Sequence, residues 1–448
     1  MRITILTTLC SLFLLSSLHA ADDSNNEATG SDQRLRVIAT TDGEIDDRCS
    51  MVRFLLYTNE WDVEGLVHSS SKFHWKGNAQ HPEHDWEPMS WLDRQLDAYE
   101  QVYDKLKQHD SGYPTPDELR SKVRVGNIGY VGEMEEVTPG SELIVEVLLD
   151  EDPREVWLQA WGGSNTIARA LKTIQEKHPD RIADVNKKAR VYLIAEQDDT
   201  LKKYILKEWP ELPVLLSDWG SFGAIAYGWS KFQTNESKPY FKKDWMTSHI
   251  LKDHGPLCSM YEAKEDRFRS EGDSPSYLHV VPNGLRSHEH PEYGGWGGRF
   301  NPRGGWWRTK EDKDTKPHSV VRWSIDFQQD WAARADWCVK DYADANHAPQ
   351  PKLKSPADVK AKSGAKVDLD LAGTEDPDGD QLSYDWFYYL EASDYDQEVD
   401  VAGADQPTTS IEVPGDAKSG DELHFVCRVT DDGEPALTRY ARVIVTVE

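Results

Sequence analysis

The strongest constraint on the fold is a regular alternation of strand-like and helix-like segments between Arg34 and about Trp219. The run "RVIAT" precedes "DDRCSMVRFLLYT", whose apolar residues recur at helical spacing, and "WDVEGLVHSSS" precedes the amphipathic "SWLDRQLDAYEQVYDKLKQ". "REVWLQAWG", "ARVYLIAEQ" and "LPVLLSDW" continue the series. Such alternation predicts an α/β fold with a mostly parallel sheet flanked by helices. Ligands of these sheets bind outside the carboxyl ends of the strands.

The rest of the chain changes character twice. Residues 220–329 are irregular and rich in Gly, Pro and Trp, and "WAARADWCVKDYADA" then predicts a closing helix. From about Pro351, short segments such as "LHFVCRVTD" and "YARVIVTVE" alternate with a period of two. This pattern predicts an all-β, immunoglobulin-like sandwich. We therefore predict an α/β domain over residues 34–345 and a β-sandwich domain over residues 351–448.

The N-terminus predicts export. "MRITILTTLCSLFLLSSLHA" combines a basic residue, an apolar stretch and a small residue at its end, which is typical of a cleaved signal peptide over residues 1–20. A secreted or periplasmic location follows as an expectation. No later segment is apolar for long enough to span a membrane. The formal net charge of −28 argues against a nucleic-acid partner, because little basic surface would offset the phosphates.

Cysteine and tryptophan carry further information about compartment and partner. Beyond the signal peptide, Cys49, Cys258, Cys338 and Cys427 either form disulfides or remain buried thiols, and the sequence leaves this open. Seventeen tryptophans are many for 448 residues. Tryptophan is a core residue and also a common surface on which sugars stack, so the excess favours a carbohydrate partner.

Three aspartates crowd the segment "TTDGEIDD", where a predicted strand runs into a predicted helix. They are Asp42, Asp46 and Asp47. Carboxylates this close raise one another's pKa unless a cation neutralises them. A helix cap explains one carboxylate but not three. A hard divalent cation with oxygen ligands, calcium above all, explains the others, and from spacing alone both interpretations stay open.

An ordered set of motifs resembles that of the nucleoside hydrolases. "TTDGEIDD" resembles the D-x-D-P-G-x-D-D signature, and "WGGSNTIARAL" looks like the strand-to-helix turn G-P-L-T-N-[IL]-A. "EGDSPS" falls where a late His-Asp-Pro occurs in that family. Together with "GGWGGR" and the trailing β domain, the resemblance narrows to secreted bacterial proteins of cellulose-binding type. These have a nucleoside-hydrolase-like domain and an immunoglobulin-like C-terminal domain.

The resemblance implies a calcium site and a catalytic role. Asp42, Asp47 and Asp273 would ligate the ion, together with a backbone carbonyl, most simply that of Trp161. Asp42 would also be the catalytic base for a water whose pKa the ion lowers. Asp46 would bind vicinal sugar hydroxyls. Cleavage of a glycosyl bond needs this combination of an activated water and a fixed sugar.

Departures from the family pattern weaken the case for a nucleoside substrate. Thr40 replaces the first aspartate of the signature, and Gly43-Glu44 replaces its Pro-Gly pair. Gly272 stands where some members have a histidine that helps the leaving group depart. A neighbouring glutamate, Glu271, is an alternative acid. These departures and the long Trp-rich insertions favour a larger sugar ligand.

Further candidate ligand contacts follow from position in the predicted fold. Gln197 and Asp198 end the strand "VYLIAEQ", and a helix-capping role for Asp198 is equally favoured. Lys72 follows a strand at the same edge, although a solvated lysine is the simpler interpretation. Three tryptophans of the Gly-rich region are predicted to form a stacking wall, with core packing as the alternative: Trp296, Trp306 and Trp307.

One acidic motif lies outside this set. The turn "DPDGD", Asp376 to Asp380, either binds a second calcium ion or is explained by Asx and Gly turn chemistry alone.

Two functions are consistent with these features. The first is an exported calcium-dependent glycoside hydrolase that acts on a plant or algal glycan or glycoside. The second is a non-catalytic protein that binds cellulose or another polysaccharide on the same scaffold. The retained aspartates favour hydrolysis, whereas Gly272 favours binding.

Overall fold

The structure is a computed structural model, in which residues 34–264, 267–268, 271–313 and 317–448 are described. The predicted signal peptide, residues 1–20, lies outside the described residues. Residues Arg34–Glu448 form one compact unit. Within the described ranges, no helix has the length and apolar character needed to cross a membrane.

The described residues form sixteen strands. In chain order they are β1 Leu35–Thr41, β2 Trp61–His68, β3 Val123–Val125, β4 Val156–Ala160, β5 Ala189–Ile194, β6 Val214–Ser217, β7 Ala263–Lys264, β8 Arg267–Phe268, β9 Phe300–Pro302, β10 Trp307–Thr309, β11 Asp358–Ala361, β12 Lys366–Asp370, β13 Ser383–Tyr388, β14 Thr408–Glu412, β15 Glu422–Thr430 and β16 Thr438–Val447.

The α-helices of the described residues connect these strands. They are α1 Ile45–Leu55, α2 Ser90–His109, α3 Pro116–Ser121, α4 Pro139–Leu149, α5 Asn165–Lys177, α6 Ile182–Lys188, α7 Leu206–Glu208, α8 Trp219–Phe222, α9 Trp229–Phe232, α10 Lys243–Met246, α11 Gly255–Ser259, α12 Ser274–Leu278, α13 His318–Val321 and α14 Ser324–Trp337. Short 3₁₀ or π turns lie at Pro179–Arg181, Leu201–Ile205, Lys238–Phe241, Thr247–Leu251, Tyr342–Asp344 and Leu390–Ala392.

Eight strands form one large sheet, in the order β3-β2-β1-β4-β5-β6-β10-β9. Neighbours from β3 to β10 pair in parallel, and β9 closes one edge in the antiparallel direction. This order confirms the predicted mostly parallel sheet. The carboxyl ends of β1, β2, β4, β5 and β6 therefore meet at one edge of the sheet.

The sheet is buried on both faces by helices, which explains why its strands are nearly continuously apolar. Along β1 the side chains alternate: Val37 and Ala39 join the core beneath α1 and α2, whereas Ile38 joins the core beneath α4 and α5. The helices begin at local signals. For example, Thr138 caps α4 in a reciprocal pair with Ser141, which satisfies backbone N–H groups that would otherwise lack partners.

Two parts of the α/β fold differ from the sequence-based expectation. The region that looked irregular contributes β9 and β10 to the sheet. Both strands are only three residues long and lie in the Gly- and Arg-rich segment "GGRFNPRGGWWRT", which shows no alternation from which strands could be predicted. The closing helix α14 begins at Ser324, earlier than predicted, and ends at Trp337, because the following Lys-Asp-Tyr segment is polar and turns into a 3₁₀ helix.

The C-terminal part is all-β, as predicted. Strands β11, β16, β15 and β13 form one sheet, and β12 and β14 form a second. β13, β15 and β16 pair antiparallel, whereas β11 pairs parallel to β16. Inward side chains such as Trp386, Phe425 and Val443 form a core separate from those of the large sheet.

The cysteines of the described residues, Cys49, Cys258, Cys338 and Cys427, are buried free thiols in this structure. The sulfur atoms of Cys258 and Cys338 are 4.0 Å apart, whereas Cys49 and Cys427 contact backbone carbonyls. Of the two alternatives left open by the sequence, the structure has the thiol form.

Candidate functional site

The predicted site lies at the carboxyl edge of the large sheet, where β1 runs into α1. The turn between them begins with Asp42 and Gly43, and Gly43 has a φ of +80°, a conformation that glycine adopts without strain. The first turn of α1 carries Asp46 and Asp47. Negative charge is favourable at this position, because the N-terminus of a helix carries a partial positive charge.

Hydrogen bonds hold two of these carboxylates in place. Asp47 Oδ1 accepts bonds from the Thr41 hydroxyl at 2.6 Å and from the Asp42 backbone N–H at 3.1 Å. Asp42 Oδ1 accepts from the Glu44 backbone N–H at 3.1 Å. The other Asp42 oxygen, Oδ2, is buried and has no hydrogen-bond partner among the described residues.

The fourth aspartate arrives from a distant part of the chain. Asp273 immediately precedes α12, and its backbone N–H donates to the Ser50 hydroxyl of α1 at 3.2 Å. Ser276 of α12 accepts a bond from the Trp161 indole at 2.9 Å, which ties this turn to the carboxyl end of β4. The Asp273 Oδ2 atom is buried without a partner among the described residues.

Three of the aspartates form a tight cluster: carboxylate oxygens of Asp46, Asp47 and Asp273 lie within 4.8 Å of one another. Burial raises the pKa of Asp46 to about 8, and the charges of Glu44 and Asp42 add to this effect. Burial also raises the pKa values of Asp47 and Asp273 well above the usual range, and the other aspartates raise them further. Three buried carboxylates without a cation therefore disfavour their own ionisation.

Among the described residues, the neighbouring basic side chains of Arg48 and His68 do not relieve this crowding. Arg48 binds Glu262 and the Gly43 carbonyl instead. His68, at the end of β2, stacks on Trp86 with ring centroids 4.3 Å apart, and burial lowers its pKa to about 4. His68 is therefore neutral near pH 7 and adds no positive charge.

The donors present match a hard divalent cation. All the side chains in the cluster offer carboxylate oxygens, and one Asp273 oxygen is buried without a hydrogen-bond partner among the described residues. Buried polar atoms are almost always satisfied in proteins, so this atom indicates a missing electropositive partner. The cluster differs from the predicted ligand set in one respect: Asp46 is inside it, whereas Asp42 lies beside it.

Two other predicted residues meet beside this cluster. The Trp161 carbonyl, predicted as a ligand, accepts a hydrogen bond from the Gln197 side-chain amide. Because a carbonyl has two lone pairs, this bond leaves one acceptor site. Gly162 follows directly, and a Cβ there would lie 2.8 Å from the Asp42 Cβ. The glycine therefore permits this backbone to approach Asp42.

Asp198 and Lys72 engage protein groups at the same edge. The Asp198 carboxylate accepts four bonds, from the Ser164 hydroxyl, the Asn165 backbone N–H, and the backbone and hydroxyl of Thr200. These bonds support the start of α5 and the chain after β5, in agreement with the capping alternative. Lys72 Nζ is exposed and donates to the Glu196 carbonyl at 3.1 Å. Ligand contacts by Asp198 and Lys72 remain predictions.

The three predicted stacking tryptophans lie apart from the aspartates. Trp296 is fully buried, and its indole donates to the Tyr440 hydroxyl of the β-sandwich at 3.1 Å. This burial corrects the prediction for Trp296, which packs between the two parts of the chain and offers no face to a ligand. Trp307 pairs with Leu215 near the start of β6, so Trp306 and Trp307 lie toward the amino end of the strands, away from the aspartates.

The structure gives a steric reason for a glycine at position 272. A Cβ at this position would lie 2.4 Å from Asp46 Oδ2, which is closer than real Cβ contacts allow. Any side chain here would therefore displace the Asp46 carboxylate from the cluster. The family resemblance showed that the histidine is absent at this position. It did not show that the Asp46 carboxylate occupies the space beside Gly272.

Glu271, the alternative acid, is committed to an ion pair. Its carboxylate accepts from Arg53 of α1 at 2.5 Å, and the Arg53 guanidinium also donates to Gln328. Burial raises the pKa of Glu271 to about 7, although Arg53 acts in the opposite direction. Because the pair is buried against α14, Glu271 is a support for the Asp273 turn and is not exposed to a ligand.

Sequence analysis missed three exposed aromatic residues at the same edge of the sheet as the aspartates. Phe73, Trp219 and Tyr227 each have between 43% and 47% of their surface exposed. Phe73 follows β2, and the other two follow β6, Trp219 as the first residue of α8, so all three lie at the carboxyl edge of the sheet. The Tyr227 hydroxyl donates to Glu44 Oε1 at 3.4 Å. Their position after predicted strands was the available signal, but nothing in their sequences distinguishes them from core aromatics.

A mostly parallel sheet that gathers aspartates from the β1–α1 turn and from a late turn defines a nucleoside-hydrolase-like protein. Two family models match this chain. Residues 36–300 match the model described as cellulose-binding Sde182, nucleoside hydrolase-like domain. Residues 366–447 match the C-terminal domain of cellulose-binding protein Sde0182. The chain therefore belongs to the family of cellulose-binding Sde182 proteins with a nucleoside-hydrolase-like domain, which confirms the resemblance in its motifs.

One solved structure agrees with this assignment. A nucleoside hydrolase-related hypothetical protein from Saccharophagus degradans, described as associated with carbohydrate metabolism, is 30% identical, with a TM-score of 0.78. The match covers 93% of this chain and 100% of that one. A plant nucleoside hydrolase is 10% identical over 55% of this chain and 79% of its own, and its TM-score of 0.30 is too low to support an argument. A comparison with curated proteins finds no match.

Proposed function

We propose that this chain is an exported protein that binds a neutral polysaccharide of the cellulose type at a calcium-containing site on the carboxyl edge of the large sheet. One observation carries the proposal. Three buried carboxylates converge within 4.8 Å near the exposed Tyr227, whose hydroxyl donates to Glu44, in a family whose members are described as cellulose-binding. Export is part of the proposal and rests on the N-terminal sequence.

The proposed calcium site comprises the clustered aspartates and the neighbouring Trp161 carbonyl. Asp46, Asp47 and Asp273 would supply carboxylate oxygens, and Asp42 Oδ2 lies beside them without a hydrogen-bond partner among the described residues. When bound, calcium supplies positive charge that neutralises these carboxylates, and it can coordinate sugar hydroxyls. The protein would orient those hydroxyls through the carboxylates at the mouth of the site, chiefly Glu44.

The exposed aromatic residues Phe73, Trp219 and Tyr227, here called the aromatic rim, support a neutral sugar chain as the ligand. Trp219 is braced by Phe222 and Phe232, with ring centroids 5.5 and 6.2 Å away, so its exposed surface is held in place. Aromatic rings with one wet face suit the apolar faces of pyranose rings. The acidic groups around Tyr227 would repel an anionic glycan, and this repulsion favours a neutral one.

The first prediction concerns the aromatic rim. Retention on insoluble cellulose is expected to fall at least tenfold in Trp219→Ala and in Tyr227→Ala, because each loses a stacking face. The matched control is Trp306→Ala, since Trp306 lies toward the other edge of the sheet and its loss is expected to leave retention unchanged. Pull-down with calcium present measures this. Full retention in both rim variants, or a loss confined to Trp306→Ala, would contradict the rim assignment.

Hydrolysis is a second candidate function, favoured by Asp42. Its Oδ2 atom is buried, unpartnered among the described residues and adjacent to the carboxylate cluster, which suits a base that accepts a proton from water. Support for hydrolysis is weakest at the leaving group, which needs an acid to protonate it. Gly272 offers no acid, and Glu271 is paired with Arg53. Activity should therefore be greatest on aryl glycosides, whose leaving groups need little protonation.

The second prediction tests hydrolysis directly. A panel of aryl furanosides, aryl pyranosides and nucleosides, assayed with excess calcium, is expected to reveal slow release of the aryl group by the wild-type chain. Asp42→Asn should abolish the release while retaining the fold, because the amide cannot accept the proton from water. Silence across the panel and across oligosaccharide digests, from protein shown to hold its calcium, would eliminate the hydrolase and leave the binding function.

A further inference from the structure

A second acidic cluster lies in the C-terminal part, in the turn between β12 and β13. Carboxylate oxygens of Asp376, Asp378 and Asp380 lie within 4.8 Å of one another. Asp376 Oδ1 accepts the backbone N–H groups of Asp378 and Asp380 at 2.9 and 3.1 Å. These bonds are ordinary turn chemistry and explain only one oxygen of the three side chains.

A buried carboxylate from another loop provides independent evidence for a ligand. Asp431 is 4% exposed. Its Oδ1 atom accepts from Asn346 Nδ2 and from the backbone N–H groups of Gly433 and Leu437. Its Oδ2 atom is buried and has no partner among the described residues. Leaving such an atom unsatisfied destabilises the folded state, and more so if the atom is charged.

Neighbouring hydrogen bonds place Asp431 beside the turn. Asn346, which binds Asp431, is followed by His347, whose backbone N–H donates to Asp378 Oδ2 at 2.7 Å. On the other side, the backbone N–H of Gln381 donates to Asp432 Oδ1 at 2.8 Å. Burial raises the pKa of Asp431 to about 6, and the charge of Asp376 contributes. A second buried oxygen without a partner among the described residues belongs to Asp376 itself, Oδ2.

We propose that Asp376, Asp378, Asp380 and Asp431 bind one calcium ion at the junction between the α/β part and the β-sandwich. All the donors are carboxylate oxygens, which suit a hard cation and not zinc or copper. They come from two turns, and calcium tolerates the irregular geometry of such ligand sets better than magnesium does. The proposal stands on these residues alone and does not depend on the function proposed for the large sheet.

The cation would also fix the connection between the two parts of the chain. His347 lies in the connecting segment, and its Nδ1 atom is 3.1 Å from Asp378. Its Nε2 atom is 2.9 Å from His109 Nδ1 of α2, and its ring stacks on Tyr342 with centroids 3.9 Å apart. Residues that hydrogen-bond to a metal ligand are ordered together with that ligand. An ion held by Asp378 would therefore also order His347, which contacts α2.

Calcium stoichiometry of the full chain tests this site. Calorimetric titration with calcium alone is expected to show two ions in the wild type and one in the double variant Asp376→Asn, Asp378→Asn. Asp380→Asn is a milder second variant and is expected to weaken the same step at least tenfold. The matched control is Asp396→Asn, an exposed aspartate of the same domain, which should bind as the wild type does. Circular dichroism establishes that each variant is folded.

The results separate the two metal sites. If the double variant binds as many ions as the wild type, or if Asp380→Asn leaves both binding steps unchanged, the junction site is overturned. If the double variant loses one ion while Asp47→Asn loses none, the junction site stands and the site at the large sheet falls. Calcium should also slow proteolysis near residue 350 in the wild type but not in the double variant. Equal protection in both would contradict the coupling to the connecting segment.

Discussion

Asp47→Asn is expected to make the calcium-free protein at least as stable as the wild type and the calcium-loaded protein less stable. The two effects have one cause. The substituted amide would keep an oxygen that accepts from Thr41 and from the Asp42 backbone, so the local hydrogen bonds survive. The substitution removes one of three buried carboxyl groups, each of which burial and its neighbours disfavour in the charged form. Without calcium that removal relieves repulsion, whereas with calcium it removes a ligand.

The size of the effect follows from binding linkage. A ligand that binds only the folded state at a concentration 100 times its dissociation constant adds about 2.7 kcal/mol to the free energy of unfolding. Most of this stabilisation should be lost in Asp47→Asn. The measurement is thermal unfolding with and without calcium, made in the Asp376→Asn, Asp378→Asn background so that only the site at the large sheet contributes.

A matched control is available at Asp199. This exposed aspartate lies one residue after Asp198 and pairs with Lys203 across one helical turn. Asp199→Asn removes the same charge from a position outside the cluster, and its calcium response should equal that of the parent protein. An equal calcium response in Asp47→Asn and in its parent would contradict the assignment of Asp47 as a ligand.

The sheet could be predicted because its signal is local and repeated. Each buried parallel strand is a short apolar run, and each intervening helix has apolar residues at helical spacing, as in α2. The aspartates could be predicted as a group because the carboxyl ends of parallel strands share one edge. The resemblance to nucleoside hydrolases then identified Asp273, which lies far from Asp47 along the chain and has no local signal that links it to α1.

The tryptophans show where composition misleads. Trp296 and Trp307 occur in Gly-rich segments that resemble binding loops, but Trp296 fills the junction with the β-sandwich and Trp307 is a strand residue. Tryptophan has a large apolar surface and one polar group, so it serves equally well in a core and on a sugar-binding face. The burial of Trp296 and its tertiary contact with Tyr440 distinguish the two roles.

Which of the aspartates cluster together could not be predicted from the sequence either. The resemblance assigned Asp42 to the metal and Asp46 to sugar hydroxyls, whereas the structure puts Asp46 with Asp47 and Asp273. The side-chain direction of Asp46 depends on Gly272, which leaves space that a Cβ would occupy. A contact between residues so distant in the chain depends on the packing of α1 against the α12 turn and has no signature in either segment.

Sugar affinity is expected to depend on the metal, because the proposed ligand would contact both the calcium ion and the aromatic rim. Removing the ion exposes the ligand to a buried cluster of mutually repelling carboxylates, and sugar hydroxyls then lose their electropositive partner. The affinity for cellohexaose should fall at least tenfold, which corresponds to about 1.4 kcal/mol. The junction site should contribute nothing, since its aspartates lie in the C-terminal part, at the turn between β12 and β13.

The most direct measurement is therefore calorimetric titration of cellohexaose into four proteins: calcium-loaded wild type, wild type treated with a chelator, calcium-loaded Asp47→Asn, and the calcium-loaded double variant Asp376→Asn, Asp378→Asn. We expect tight binding by the first and last proteins and an affinity at least tenfold lower in the other two. Returning calcium to the chelated wild type should restore its affinity. Equal affinity in all four proteins would contradict a metal-centred carbohydrate site at the carboxyl edge of the large sheet.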